Sequence, residues 1–547
     1  MQKQEKAASL SPVYEVCGAA LARRPRERYP EELSKWFAVL MLGVFPLVIS
    51  PDKYYNITRT KFEAFRILQT AYAVLAVLLL LDMALLNRER LQKRRADGMA
   101  RPSLPQLLLL AYVACTCVSA LLSPYRGSTW LGMARYEGVC ATLLYCGAFL
   151  MLSRWAEYTH LYLYVFAASM TVLSLIGVLQ PLGIDFLSPE GDWFAVRFTS
   201  TIGNIDVFSG LIALAVPIFG GVFVVWKDRR RWLFAVPYCL LICLQELIDV
   251  DSGRVGLTAA LIVALPLLCT DWARIGRVGQ ALGLALAALA AERFVSPTEA
   301  GLMLAADRRM LLFAAAAAAL LAGGLLLARV QKPMPVSKKA LRIAIILALV
   351  VCIAAALMWI ASYEGKNRTL RDFSALLHGT LEDSAGTNRG YIWKSTAGII
   401  AERPLLGGGP GTFERLFEPY NGRYQELMRD DNIYVDFAHN DYLQIAAERG
   451  LIALAVYLAF LAALGVRALR RADRFPMLAA LLIGCVGFWA HMFFAFSIGI
   501  LSPIFWVLAG VMEKAVRQLD EAADGKRMRP PAEAKKTDVP PVGKRNA

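Results

Sequence analysis

The chain has 547 residues, 57% of them apolar, and carries a formal net charge of +15. Its apolar residues come in blocks of roughly 17 to 25, the length that crosses a bilayer as a helix, which argues against an ordinary soluble domain and for an all-α polytopic integral membrane protein. The positive residues cluster between those blocks and in the tails, where a cytoplasmic-side bias places them, so the charge points to no nucleic-acid partner.

In chain order, residues 1–33 are expected to be a basic cytoplasmic tail (Arg23, Arg24, Arg26, Arg28) without the short apolar core of a signal peptide. Two helices follow near Trp36 to Ile49 and Ile67 to Leu86, and the loop with Arg88, Arg90, Lys93, Arg94, Arg95 and Arg101 is expected inside. Helices near Leu104 to Leu122, Val139 to Leu152, Leu161 to Leu182, Ile205 to Trp226, Trp232 to Ile248 and Val255 to Cys269 then alternate across the membrane. Their exterior connections hold Arg126 and Arg135, then residues 192–201, then Asp249 to Arg254. An alanine-rich pair comes next, near Gln280 to Ala291 and Met310 to Ala328, its first member short and broken by Glu292 and Arg293. The helix from Ile343 to Ala361 completes the membrane part at 34–362 and leads into one large exterior loop, 363–450. Helices near Leu451 to Leu464, Met477 to Phe496 and Leu501 to Val511 occupy 451–513, and residues 514–547, rich in Lys, Arg, Pro and Ala, read as a disordered cytoplasmic tail. The expected count is about fourteen transmembrane helices, or twelve if the alanine-rich pair does not span.

The ten cysteines lie nearly all inside apolar blocks, none of them between Gly365 and Gly450, so neither a disulfide framework nor a metal site is expected. Polar, aromatic and glycine-rich chemistry is concentrated instead between Arg389 and Gly450. There Thr387 or Asn388 is expected to cap a helix whose one face carries Arg389, Trp393, Thr396 and Ile400 and which stops before Pro404. A helix N-terminus does not favour a cation, so Arg389 either serves an anionic ligand or snorkels to lipid phosphate. Residues Gly407 to Gly411 read as a chain reversal rather than a nucleotide loop, since no P-loop lysine follows.

Among the four histidines, His439 alone sits beside capping groups: Asn440 or Asp441 can start a helix that runs to Arg449 and is closed by Gly450. The positive end of that helix disfavours an imidazolium, leaving His439 either a base near neutral pH or a packing residue at a helix start. Asp251, Ser252, Gly253 and Arg254 are expected to form a tight turn at the membrane boundary, and Arg197 precedes a run containing Asn204 and Asp206. Together with Arg389 these arginines would make an exterior cationic cluster suited to a diphosphate.

The combination of Arg389 through Trp393, Pro404-Leu-Leu-Gly with Gly409 to Phe413, and His439-Asn-Asp-Tyr-Leu-Gln followed by Glu448-Arg-Gly resembles the O-antigen ligase and polymerase family of bacterial membrane glycosyltransferases, which includes protein O-oligosaccharyltransferases. Gly203-Asn204 and Arg254 resemble further elements of that family. Asp206, a glycine before Arg254, and the alanine-rich pair depart from its pattern. The resemblance implies en bloc transfer of a glycan from polyprenyl (undecaprenyl) diphosphate to a lipid, polymer or protein acceptor at the exterior face of the bacterial inner membrane, with no cofactor, ATP or metal. It implies His439 as base or acceptor-orienting residue and Arg389 and Arg254 as diphosphate ligands; Arg135, Arg197, Asn204, Trp393, Asn440 and Tyr442 are further candidate substrate-binding positions, with membrane lipids as surroundings. A polymerase of lipid-linked repeats is the related alternative; a solute transporter is the alternative of another class, and would need paired ionisable residues at mid-membrane.

Overall fold

The computed structural model describes residues 29–51, 53–85, 101–133, 135–182, 184–185, 187, 199–298, 301–304 and 307–528. Arg197, residues 1–28 of the expected 1–33 tail, the arginines at 88–95 and the tail beyond 528 lie outside the described residues, while residues 29–33 of that expected tail are already helical.

The first helix, α1 (Tyr29–Val39), passes into a π-turn (Leu40–Val44) and a short 3-10 turn (Phe45–Leu47). Then come α2 (Ile57–Leu85), α3 (Leu104–Leu122), α4 (Val139–Trp155), α5 (Leu161–Leu179), α6 (Ile205–Val225), α7 (Trp232–Ile248), α8 (Asp251–Leu268) and α9 (Trp272–Phe294). A two-stranded antiparallel hairpin, β1 (Val295–Thr298) with β2 (Gly301–Leu304), joins α9 to α10 (Arg308–Ala328), which is followed by α11 (Lys338–Ala361). The segment after α11 holds α12 (Arg368–Leu377), α13 (Ala385–Glu402) and α14 (Phe413–Met428); α15 (Asp441–Arg471), α16 (Met477–His491) and α17 (Ser502–Met528) close the described chain.

Among the described residues, ten helices are long and apolar enough to cross a membrane (α2, α3, α5 to α11 and α15), and α4 and α16 are shorter apolar helices. The chain is thus a multi-pass helical membrane protein. Its centre is α6, whose membrane-length stretch is wholly buried, as expected of a helix apolar on every side. Glycines let its neighbours approach: a Cβ at Gly221 would lie 2.8 Å from Ala480 on α16, and one at Gly210 would lie 2.6 Å from the His491 ring.

Three differences from the sequence reading have local causes. The expected short helix 280–291 is the inner part of α9, which runs from Trp272. Gly276, Gly279 and Gly283 bring it onto α10, where a Cβ at Gly276 would lie 2.5 Å from Gly324 O. The expected tight turn at 251–254 is instead the first turn of α8; the chain reverses one step earlier, at left-handed Asp249 (φ 50°). Residues 514–528, expected as tail, continue α17, because Arg467 and Arg471 of α15 pair with Asp520, Arg467 also pairs with Glu513, and Lys514 Nζ donates to Arg154 O.

Candidate active site

The segment after α11 folds into three helices that close over one end of the bundle. The α12 helix starts with an Asn367 cap, whose Oδ1 accepts from Leu370 N at 3.0 Å, and Thr369 Oγ1 donates to Asp251 Oδ2 at 3.1 Å, tying this layer to the start of α8. A cleft of about 570 Å³ lies between α12, the first turns of α6, α8 and α13, and the approach to α15. Arg389, Trp393, His439, Asp206, Asp251 and Asp372 are among its walls.

Arg389 reaches the cleft through an unusual helix start. Gly386, Thr387 and Asn388 are all left-handed (φ 56°, 60° and 65°), so the expected side-chain cap by Thr387 or Asn388 does not form. Asn388 N donates instead to Ser384 O, its amide nitrogen to Met428 Sδ, and Gly386 N to Asp372 Oδ2. Left-handed backbone costs a non-glycine residue on the order of 1 kcal/mol. Asp249 (φ 50°), Thr387 and His439 (φ 49°) are non-glycine left-handed residues that all line this one cleft, a concentration of strain that marks functional sites.

His439 stands just before α15, where Asn440 Oδ1 caps the helix by accepting from Tyr442 N (3.1 Å) and Leu443 N (3.0 Å). Its ring meets Phe496 edge-on, with centroids 5.4 Å apart, and its Nδ1 is buried without a hydrogen-bond partner among the described residues. Trp393 Nε1 donates to Ala438 O at 3.1 Å, fixing the backbone one residue before the imidazole. Arg135 lies on the same aromatic ring, its guanidinium 4.6 Å from the Phe496 centroid and its Nε donating to Asp436 Oδ2 at 2.9 Å. Burial, then the charges of Arg389 and Arg135, push the His439 imidazole down to about 3, so it is neutral near pH 7.

The other sequence-nominated residues are placed differently. Arg254 does not line the cleft; it is held by Glu246 (2.9 Å), Asp249 (2.7 Å) and Asp251 (3.0 Å). Asn204 caps α6, accepting from Val207 N at 3.1 Å, while Asp206 beside it does face the cleft. Asn440 is buried in its capping role, and Tyr442 Oη donates to Trp489 O at 2.7 Å. The structure therefore brings Arg389, Trp393 and His439 together with Arg135 close by, and leaves Arg254, Asn204, Asn440 and Tyr442 outside the cleft wall. Sequence reasoning did not find α12 with its Arg368, Thr369 and Asp372. Its signal is Asn367 followed by Leu370, Phe373, Leu376 and Leu377 at three- and four-residue spacing.

The glycine loop serves structure. Gly408 N donates to Ala447 O and Gly409 N to Glu448 O, so those two amides are taken by carbonyls of α15, and Leu451 N of α15 donates back to Pro404 O, all at 2.7 to 2.9 Å. Gly450 (φ 85°) kinks α15 at this clasp, where a Cβ would lie 2.1 Å from Leu405 O. Beneath it Arg449 pairs with Glu448 at 3.2 Å and donates to Glu137 O. The Glu137 carboxyl accepts from Tyr145 Oη at 2.6 Å, and burial pushes it up to about 8.

Residues 295–458 match a family model described as O-Antigen ligase. The match takes in Arg389, Trp393 and His439 and leaves out Arg135, Asn204 and Arg254. No curated protein matches the chain.

Proposed function

We propose that this chain, whose residues 295–458 match the O-Antigen ligase model, is a membrane glycosyltransferase of the O-antigen ligase and polymerase family that moves a glycan en bloc from a polyprenyl diphosphate to an acceptor hydroxyl. The donor in this reading is undecaprenyl diphosphate of a bacterial inner membrane, and the acceptor is a lipid, polymer or protein. One observation carries the reading: a single cleft sets a guanidinium, Arg389, with a neutral imidazole, His439, whose buried Nδ1 has no hydrogen-bond partner among the described residues.

The acceptor oxygen attacks the anomeric carbon, and the bond from that carbon to the phosphate oxygen breaks. Its electron pair leaves with the polyprenyl diphosphate, where Arg389 stabilises the developing charge. The acceptor proton passes to His439. Attack from the face opposite the diphosphate inverts the anomeric centre. Arg135 supports His439 from behind Phe496, and Arg254 reaches a diphosphate only if that ligand displaces its three carboxylates. Fourteen crossings, both termini inside and the segment 363–450 outside complete the arrangement.

The test supplies membranes with a labelled polyprenyl-diphosphate glycan and candidate acceptors. His439→Ala is expected to insert normally and lose transfer; normal transfer by the inserted variant would sink this role. A single addition to the acceptor marks a ligase, and a ladder of repeat units marks a polymerase.

A further inference from the structure

A second space lies inside the helical bundle. It is an apolar groove of about 260 Å³ between α6, α7, α8 and α9, open at one side, where Leu261 is 41% exposed. Small residues make the room: Gly220 and Gly221 on α6, Ala260 and Ala264 on α8, Ala281 and Ala285 on α9. The α9 wall is held in place from behind by its glycine contacts with α10.

The groove has a direction. Among the described residues its one charged wall residue is Glu246, next to Gln245 at the C-terminal end of α7, and the polar cleft begins three residues later at Asp249. Arg254 joins the two spaces, pairing with Glu246 of the groove and with Asp249 and Asp251 of the cleft. An apolar trough among membrane helices that ends at a polar cleft, where Arg368 and Arg389 stand among four aspartates, matches an amphiphile with one long hydrocarbon chain and a head that Arg389 can hold.

We propose that this groove holds the isoprenoid chain of the donor, threading from between α8 and α9 past Arg254, with its diphosphate in the cleft at Arg389. This rests on the polyprenyl-diphosphate reading above. It assigns the chain-binding role to α6 through α9, helices outside the residues that match the family model. The alanine-rich α9, set apart at the sequence level only as an addition, becomes one wall of the site.

The test uses the full-length protein in lipid vesicles with a polyprenyl diphosphate carrying a diazirine midway along its chain and no glycan. Adducts are expected on residues 257–268 and 278–289, suppressed by unlabelled polyprenyl diphosphate and not by excess phospholipid. Adducts elsewhere, or equal labelling there by a diazirine phospholipid, would overturn the assignment in favour of ordinary bilayer lipid. Labelling needs no turnover, so groove adducts in a protein that transfers no glycan would retain the groove and sink glycan transfer instead. As a second arm, Ala264→Trp and Ala285→Trp fill the trough. Each is expected to raise KM for the long-chain donor roughly tenfold, the effect of losing about two buried methylene groups, with kcat unchanged. A donor of two isoprene units should be unaffected. An equal effect on both donors, or none on either, counts against the groove.

Discussion

The acidity of His439 depends on what neutralises its neighbours. Burial and the charges of Arg389 and Arg135 hold it near 3 in the folded chain, so no acid limb from His439 is expected in kcat/KM between about pH 5 and 8. A bound diphosphate cancels the Arg389 charge and raises the proton affinity of the imidazole, so the acid limb of kcat should lie at higher pH than that of kcat/KM. A full pH–rate profile for both constants checks this. Stability carries the same sign. The unfolded chain takes up the His439 proton near 6.5 and the folded chain only near 3, so the contribution is complete above pH 6.5 and lost as pH falls through that window. Thermal unfolding of His439→Gln should therefore vary less steeply with pH there than wild type. Arg389→Gln should weaken donor binding by roughly tenfold or more, the loss of one charge-assisted contact, read as a rise in KM.

Helix-scale features were legible where a side chain sets them. Asn440 caps α15 and Gly450 interrupts it, as their positions suggest, and the glycine run is a turn. The left-handed start of α13 was not legible, since Thr387 and Asn388 are ordinary capping residues, and it is the contacts of Gly386 N with Asp372 and of the Asn388 amide with Met428 that accompany the other turn. The carboxylates around Arg254 were hidden for a similar reason: Glu246 and Asp249 converge on it only because Asp249 is left-handed. Those placements arise from contacts across turns and between neighbouring helices, 5 to 40 residues apart, whose geometry the spacing along one helix does not record. The clasp at the kink is expected to be intolerant: Gly450→Ala combines backbone strain of about 1–3 kcal/mol with a clash against Leu405 O. Its measurable result is a lower Tm in detergent and loss of transfer together, whereas His439→Ala should lose transfer alone.

At the scale of the whole molecule, the apolar blocks foretold membrane helices, and among the described residues ten helices meet the requirements of length and composition. The proposed orientation has a direct check: single cysteines at Tyr434 and at Lys332 should react with an impermeant thiol reagent only from the exterior and only after permeabilisation, respectively. The cleft itself draws on remote parts of the chain, with Asp206 and Asp251 on one side and Arg389, His439 and Phe494 on the other. This division has a consequence for biosynthesis. The α8 wall is made more than a hundred residues before Arg389, and Phe496, which supports the His439 ring, is made more than fifty residues after it. A nascent chain therefore holds no complete site until nearly all of its membrane helices have been synthesised, and a product cut short before α16 should be inert toward glycans even if it is stably inserted.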